Sequence, residues 1–169
     1  MKSALIALLC AASAFAQKPP GVATSACGAE SSSFQVKLDK SQHALAHPDP
    51  GKALVYFIQE EGSDGFSVTT KIGIDGAWVG ANKNSSYFAV SVEPGEHHVC
   101  ANVQYFRGHP MGLVHFTAEA GKVYHFDGQV VFGGGADLYF FLGAADSDQA
   151  RYLIDSLPLS VSTPSTPKK

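Results

Sequence analysis

The chain has 169 residues, a formal net charge of −3 and only 16% charged residues. That length fits one domain able to bury its own core, and the charge balance leaves no electrostatic footprint for nucleic acid. No apolar stretch reaches the ~20 residues that a transmembrane helix needs.

Met1-Lys2 is followed by an apolar run from Ala4 to Ala16, ending in Ala14-Phe15-Ala16 before Gln17. A basic start, a short hydrophobic stretch and a small-x-small site read as a signal peptide, residues 1–16, cleaved after Ala16. Leu9 precedes Cys10 where a lipid-anchored protein requires a small residue. A secreted or periplasmic protein is therefore expected. Cleavage removes Cys10 and leaves Cys27 and Cys100, which in an exported protein most simply form one disulfide. Two free thiols, or a redox or metal pair, are the alternatives, and neither cysteine lies in a Cys-x-x-Cys motif.

Residues 17–51 read as an extended lead-in with room for a first strand, ending in the loop His47-Pro48-Asp49-Pro50-Gly51. The domain proper is expected over 52–157. Leu54-Val55-Tyr56-Phe57-Ile58 is continuously apolar, as a strand buried on both faces would be. From Phe66 to Asp75, Phe66, Val68, Thr70, Ile72 and Ile74 share one face. The same period recurs in Phe88, Val90 and Val92, and in Val99, Ala101, Val103 and Tyr105. Val114, Phe116 and Ala118 follow, then Tyr124, Phe126 and Val130, and last Leu138 to Leu142. Strands of this length between turns predict an all-β antiparallel sandwich of about seven to eight strands.

Three turns are expected to close hairpins. Asp75-Gly76 is a type I′ signal that pairs Ile74 with Ala77 and Ile72 with Val79, and sets Trp78 opposite Gly73 on the outer face. Pro94-Gly95 pairs Val90 with Val99, and Ala120-Gly121-Lys122 pairs Ala118 with Tyr124. One short C-terminal helix follows: Asp146 caps it, Gln149 stands at capping-box spacing, and Ala150, Leu153, Ile154 and Leu157 share a face before Pro158. Residues 158–169, rich in Ser, Thr, Pro and Lys, are expected to form a disordered tail.

Over Lys52 to Asp155 the sequence resembles a bacterial family known as domain of unknown function 2846. Ala53-Leu54-Val55-Tyr56-Phe57, Ile74-Asp75-Gly76 with Val79-Gly80, Tyr87-Phe88, and Val92-Glu93-Pro94-Gly95-Glu96-His97 carry the likeness, with Phe116 to Tyr124 around Gly121-Lys122. The layout is similar also to PEGA-type surface modules, which are β-sandwich-like. The resemblance implies an exported or lipid-anchored bacterial protein without established catalytic residues. It covers roughly two thirds of the chain, and its motifs are turns and core positions.

The sequence nominates no catalytic machinery, so the chain is read as a non-enzyme. There is no Gly-x-Ser-x-Gly elbow. Glu60, Glu61 and Asp64 read as a solvated turn, and Gly133-Gly134-Gly135 opens a strand where phosphate binding would need a helix. Asn84-Ser85-Ser86 matches the glycosylation pattern but also reads as a turn. Among seven histidines, the alternation puts His98, His115 and His125 on outward faces. The Ala120-Gly121-Lys122 hairpin would set His115 across from Asp127, with His125 diagonal to it. His115, His125 and Asp127 are thus the candidate site for Zn or Cu; the plainer reading is a half-exposed polar face that tolerates histidine. Trp78 is a candidate stacking platform for a sugar or peptide, or simply packs over Gly73. Cys100 shares the outward parity of His98, so a bridge to Cys27 would strap the lead-in across that face. The expected role is a binding or interaction module for an unidentified envelope or extracellular component, with metal or small-ligand binding on the histidine face as the alternative.

Overall fold

The computed structural model describes residues 26–29, 31–41, 47–60, 67–104, 111–133 and 137–165. Residues 1–25 lie outside that set, and with them the expected signal peptide and its cleavage site. Among these described residues ten strands form two sheets: β1 (Ser33–Asp39), β2 (Ala53–Gln59), β3 (Thr69–Ile74), β4 (Ala77–Lys83), β5 (Ser86–Val92), β6 (Gly95–Val103), β7 (Met111–Ala118), β8 (Val123–Phe132), β9 (Leu138–Ala144) and β10 (Leu159–Ser165). A helix, α1 (Ser147–Ser156), precedes β10. The larger sheet runs β1-β10-β5-β2-β8-β9 and the smaller β4-β3-β6-β7. The expected sandwich with a C-terminal helix is present, with ten strands and two parallel pairings, β2 with β8 and β10 with β5.

Period-2 alternation builds the main core between the sheets. Val55 and Phe57 of β2 meet Ile72 and Ile74 of β3, Val99 and Ala101 of β6, and Phe126 and Val130 of β8. The Phe57 ring lies 5.4 Å from Phe88 and 5.8 Å from Phe126. The other face of β2 is apolar too, and α1 covers it. Ala150 and Ile154 are sealed against Leu54, Tyr56, Ile58 and Tyr87, with Leu153 and Leu157 at the margin. This explains why β2 is buried along its whole length. Asp146 caps the helix by accepting the Asp148 and Gln149 N–H groups, while the Gln149 side chain reaches Glu60. Leu157 takes the extended conformation that a following proline favours.

One of the three expected hairpins forms. Asp75 (φ 50°) and Gly76 (φ 85°) make the tight turn between β3 and β4. A bulge after Ile72 pairs it with Gly80 in place of the expected Val79, while Gly73 still faces Trp78. The other two turns are corrected. Pro94-Gly95 carries the chain from β5 in the larger sheet to β6 in the smaller, and Ala120-Gly121-Lys122 carries it back from β7 to β8. Alternation cannot separate these cases. Inward residues of both sheets face the same core, so a corner keeps parity as well as a hairpin does.

The expected tail is corrected as well. Leu159–Ser165 forms β10, paired antiparallel with β1 along seven residues. Its serines are structural: the Ser160 hydroxyl meets the Ser86 hydroxyl at 2.7 Å, and Ser162 Oγ accepts the Ala81 N–H. Serine and threonine that read as tail composition are the inward and outward rows of a strand. Residues 166–169 lie outside the described set.

A polar staple holds the β3–β4 turn. His97 Nδ1 lies 2.6 Å from Asp75 Oδ2, and its Nε2 lies 2.7 Å from the Glu93 carbonyl. Asp75 Oδ1 also accepts the His98 N–H. Burial alone would lower the His97 pKa, but the Glu93 carbonyl and the Asp75 carboxylate outweigh it and raise it above 6.5. Burial would likewise raise Asp75, but the His98 N–H and the His97 hydrogen bond and charge leave it below 3.8. The His97 contribution is therefore whole below pH 6.5 and fades as pH rises through the raised value. The Asp75 contribution is whole above pH 3.8 and is lost only as pH falls through the lowered value. Urea unfolding between about pH 5 and 9 should show stability declining on the alkaline side, and His97→Gln should flatten that decline. A slope unchanged by the substitution would assign it to another group.

Candidate functional site

The predicted metal constellation is not assembled. His115 is on β7 in the smaller sheet, opposite His98 of β6, with ring centroids 6.1 Å apart. His125 and Asp127 are on β8 in the larger sheet. The error follows from reading the Ala120-Gly121-Lys122 corner as a hairpin. Among the described residues no group of three or more His, Cys, Asp or Glu is placed to hold a metal ion. The His98–His115 pair offers two imidazoles where a structural zinc takes four ligands.

His125 does point away from the main core, but it is not exposed. The helix covers it, its ring stacks on Tyr56 at 5.6 Å, and it is only 9% exposed. Burial first, and the nearby Arg151 charge second, hold its pKa below 6.5. It is a neutral packing residue. His47 is exposed, while His43 and His109 lie outside the described residues. Asn84 is buried and its side-chain oxygen accepts from Gln59 and from the Val68 N–H, so it serves as a turn residue and not as an exposed acceptor for a glycan.

The strap over the smaller sheet forms as expected. Cys27 and Cys100 are joined, with Cα atoms 5.2 Å apart. The lead-in crosses Gly73, where a Cβ would lie 2.8 Å from the Ala26 carbonyl and 3.2 Å from the Trp78 ring. Trp78 Nε1 donates to the Ala29 carbonyl, and Lys71 Nζ sits 4.3 Å from the ring centroid while donating to the Ser32 carbonyl. The Trp78 ring is thus engaged by the strap, Gly73 and Lys71, which is the packing role and not that of an open platform.

What sequence reasoning did not find is a cavity of about 330 Å³ on the outer face of β8 and β9, beside α1. Asp127, Gln129, Phe141 and Gly143 form its floor, while Asp146, Gln149 and Leu153 form the helix wall. Register explains the floor: Asp127 pairs with Gly143 and Gln129 with Phe141 across the β8–β9 ladder. A Cβ on Gly143 would meet nothing within 4 Å, so the space stands open above it. Phe141 is 59% exposed, and beyond the cavity Tyr139 and Val131 continue an apolar surface on the same strands. Comparison gives no guide to its ligand. No family model, curated protein or solved structure matches this chain.

Asp127 is the polar centre of this cavity. Its Oδ2 accepts from Gln129 Nε2 at 2.9 Å, and its Oδ1 is buried without a hydrogen-bond partner of normal geometry. Burial drives its pKa up from 3.8, against the Gln129 hydrogen bond and the neighbouring Gly128 N–H. The lining has two carboxylates and no lysine, arginine or histidine. A carboxylate left short of donors in an acidic recess favours a guest that brings donors or positive charge. No helix among the described residues is long and apolar enough to cross a membrane.

Proposed function

We propose that this chain is an exported, non-catalytic binding module of the cell envelope or exterior, whose ligand enters the Asp127 cavity. The observation that carries this reading is a half-buried carboxylate, one oxygen of which lacks a hydrogen-bond partner, in an open recess floored by an exposed aromatic ring. Convergent polar groups beside an exposed aromatic ring can orient a small ligand. The size is at the small end of such sites and suits a small molecule or one side chain of a larger partner. Amine, guanidinium or polyhydroxyl groups with an apolar flank fit best, the donor toward Asp127 and the flank on Phe141. Export is supported by the leader-like first 16 residues and by the disulfide.

The test is thermal unfolding of residues 17–169, without a histidine tag, against alkylamines, arginine esters, neutral sugars and divalent metals. A ligand at a hundred times its Kd adds about 2.7 kcal/mol, which moves Tm by roughly 5–11 °C for a domain of this size. Amines or guanidinium compounds should give the shift, and both Asp127→Asn and Gly143→Leu should remove it. Gly143→Leu fills the cavity from a position with free space, so it should fold normally. No response from any compound, or a response that survives both substitutions, rejects the cavity as the site. A shift confined to Zn or Cu would restore the metal-binding alternative on other residues.

A further inference from the structure

At the end of the sandwich where β2 stops and β3 begins, the inner faces turn from apolar to polar. Gln59, Thr70 and Asn82 are 1%, 0% and 2% exposed, so water outside the protein cannot serve them. Gln59 follows Val55 and Phe57 on the inward parity of β2. Thr70 precedes Ile72 and Ile74 on the inward parity of β3, and register sets Asn82 directly beside it on β4. The three side chains therefore share one inter-sheet layer.

Hydrogen bonds fix how the amides are turned. The Val68 N–H donates to Asn84 Oδ1 at 3.2 Å, so an oxygen must stand at that position. Gln59 Nε2 donates to the same atom at 2.7 Å, which turns Gln59 Oε1 elsewhere. Asn82 Nδ2 donates to the Phe57 carbonyl of the facing sheet at 3.5 Å, which likewise orients Asn82 Oδ1. Gln59 Oε1, Asn82 Oδ1 and Thr70 Oγ1 are then each buried without a partner.

The inventory of donors and acceptors has a simple solution. Two of these atoms can only accept, and the third is a hydroxyl that can donate once. A direct bond from Thr70 to Asn82 would leave Gln59 unserved. One water closes the set: its two hydrogens go to Gln59 Oε1 and Asn82 Oδ1, and its oxygen accepts the Thr70 hydroxyl. Three bonds is the usual coordination of a buried water. A cation in the same place would meet only neutral oxygens, with no carboxylate to balance its charge. We propose that Gln59, Thr70 and Asn82 form a binding site for one internal water that bridges the two sheets.

Two measurements test this. A high-resolution crystal structure of the wild-type protein should show a single peak within hydrogen-bond distance of all three atoms. Magnetic relaxation dispersion of solvent oxygen-17 should count one long-lived water fewer in Thr70→Val than in wild type, with the count kept in Thr70→Ser. The wild-type crystal structure needs no variant to fold. Direct Thr70–Asn82 pairing without a water peak would overturn the proposal. So would a peak with short, many-ligand coordination that identifies a metal cation, or an unchanged water count in Thr70→Val.

Discussion

Removing the Cys27–Cys100 bridge, as Cys27→Ala/Cys100→Ala or by reduction, should lower stability by about 4 kcal/mol. The bridge spans 73 positions of sequence, and closing a loop of that size restricts the unfolded chain more than a short one does. At this length such a loss lowers Tm by roughly 8–16 °C. Alanine is the right replacement because Cys100 is fully buried and a serine hydroxyl there would need a partner. The main core does not depend on the strap, so the sheets should persist while residues 26–29 come away from the smaller one. Trp78 reports this directly, since it is the only tryptophan and is held by the Ala29 carbonyl, Gly73 and Lys71. Its emission should shift to the red on reduction before the sandwich unfolds. Equal Tm values in oxidised and reduced protein would mean that the strap adds nothing to the fold.

The strap was legible in the sequence because it needed only strand parity and an arithmetic of two cysteines. Gly73 opposite Trp78 was legible for a similar reason: a two-residue turn fixes its own pairing. The sheet assignment was not. Pro94-Gly95 and Ala120-Gly121-Lys122 are short connections between alternating strands, and a short corner leaves the same pattern as a short hairpin. That ambiguity is what sets His115 beside Asp127 in the sequence pattern, although the two lie in different sheets. Composition misleads at β10, where Leu159-Ser160-Val161-Ser162-Thr163 alternates like a strand but its serines suggest a tail. The helix stripe and the two-faced apolarity of β2 are both legible, but each asks for a partner without naming it. What they could not give is that β8 lies parallel beside β2. Without that pairing neither the cover over His125 nor the wall beside Asp127 follows. The cavity arises from a non-local neighbour, and no local period reports it.

Ile154→Ala should cost about 2–5 kcal/mol, because it removes a fully buried side chain from the seat of α1. The residue is enclosed with Leu54, Tyr56, Ile58 and Tyr87 in the second core, and rigid strands below cannot close over the gap. The loss should also be felt at His125, which owes its lowered pKa chiefly to burial beside the same Tyr56 ring. As the helix loosens, water should reach that imidazole and its pKa should climb back toward 6.5. Phe57→Ala offers the contrast: it removes a buried ring of the main core, with a cost of about 3–5 kcal/mol, but leaves the helix in place. Chemical denaturation together with an NMR titration of His125 separates the two variants. The cavity wall formed by Gln149 and Leu153 belongs to the same helix, so any ligand response should weaken in Ile154→Ala and survive in Phe57→Ala. If Ile154→Ala is destabilised yet leaves the His125 titration unmoved, Ala150, Leu153 and Leu157 alone hold the helix to β2. The cavity would then be a rigid feature of the fold, independent of how tightly that second core is packed.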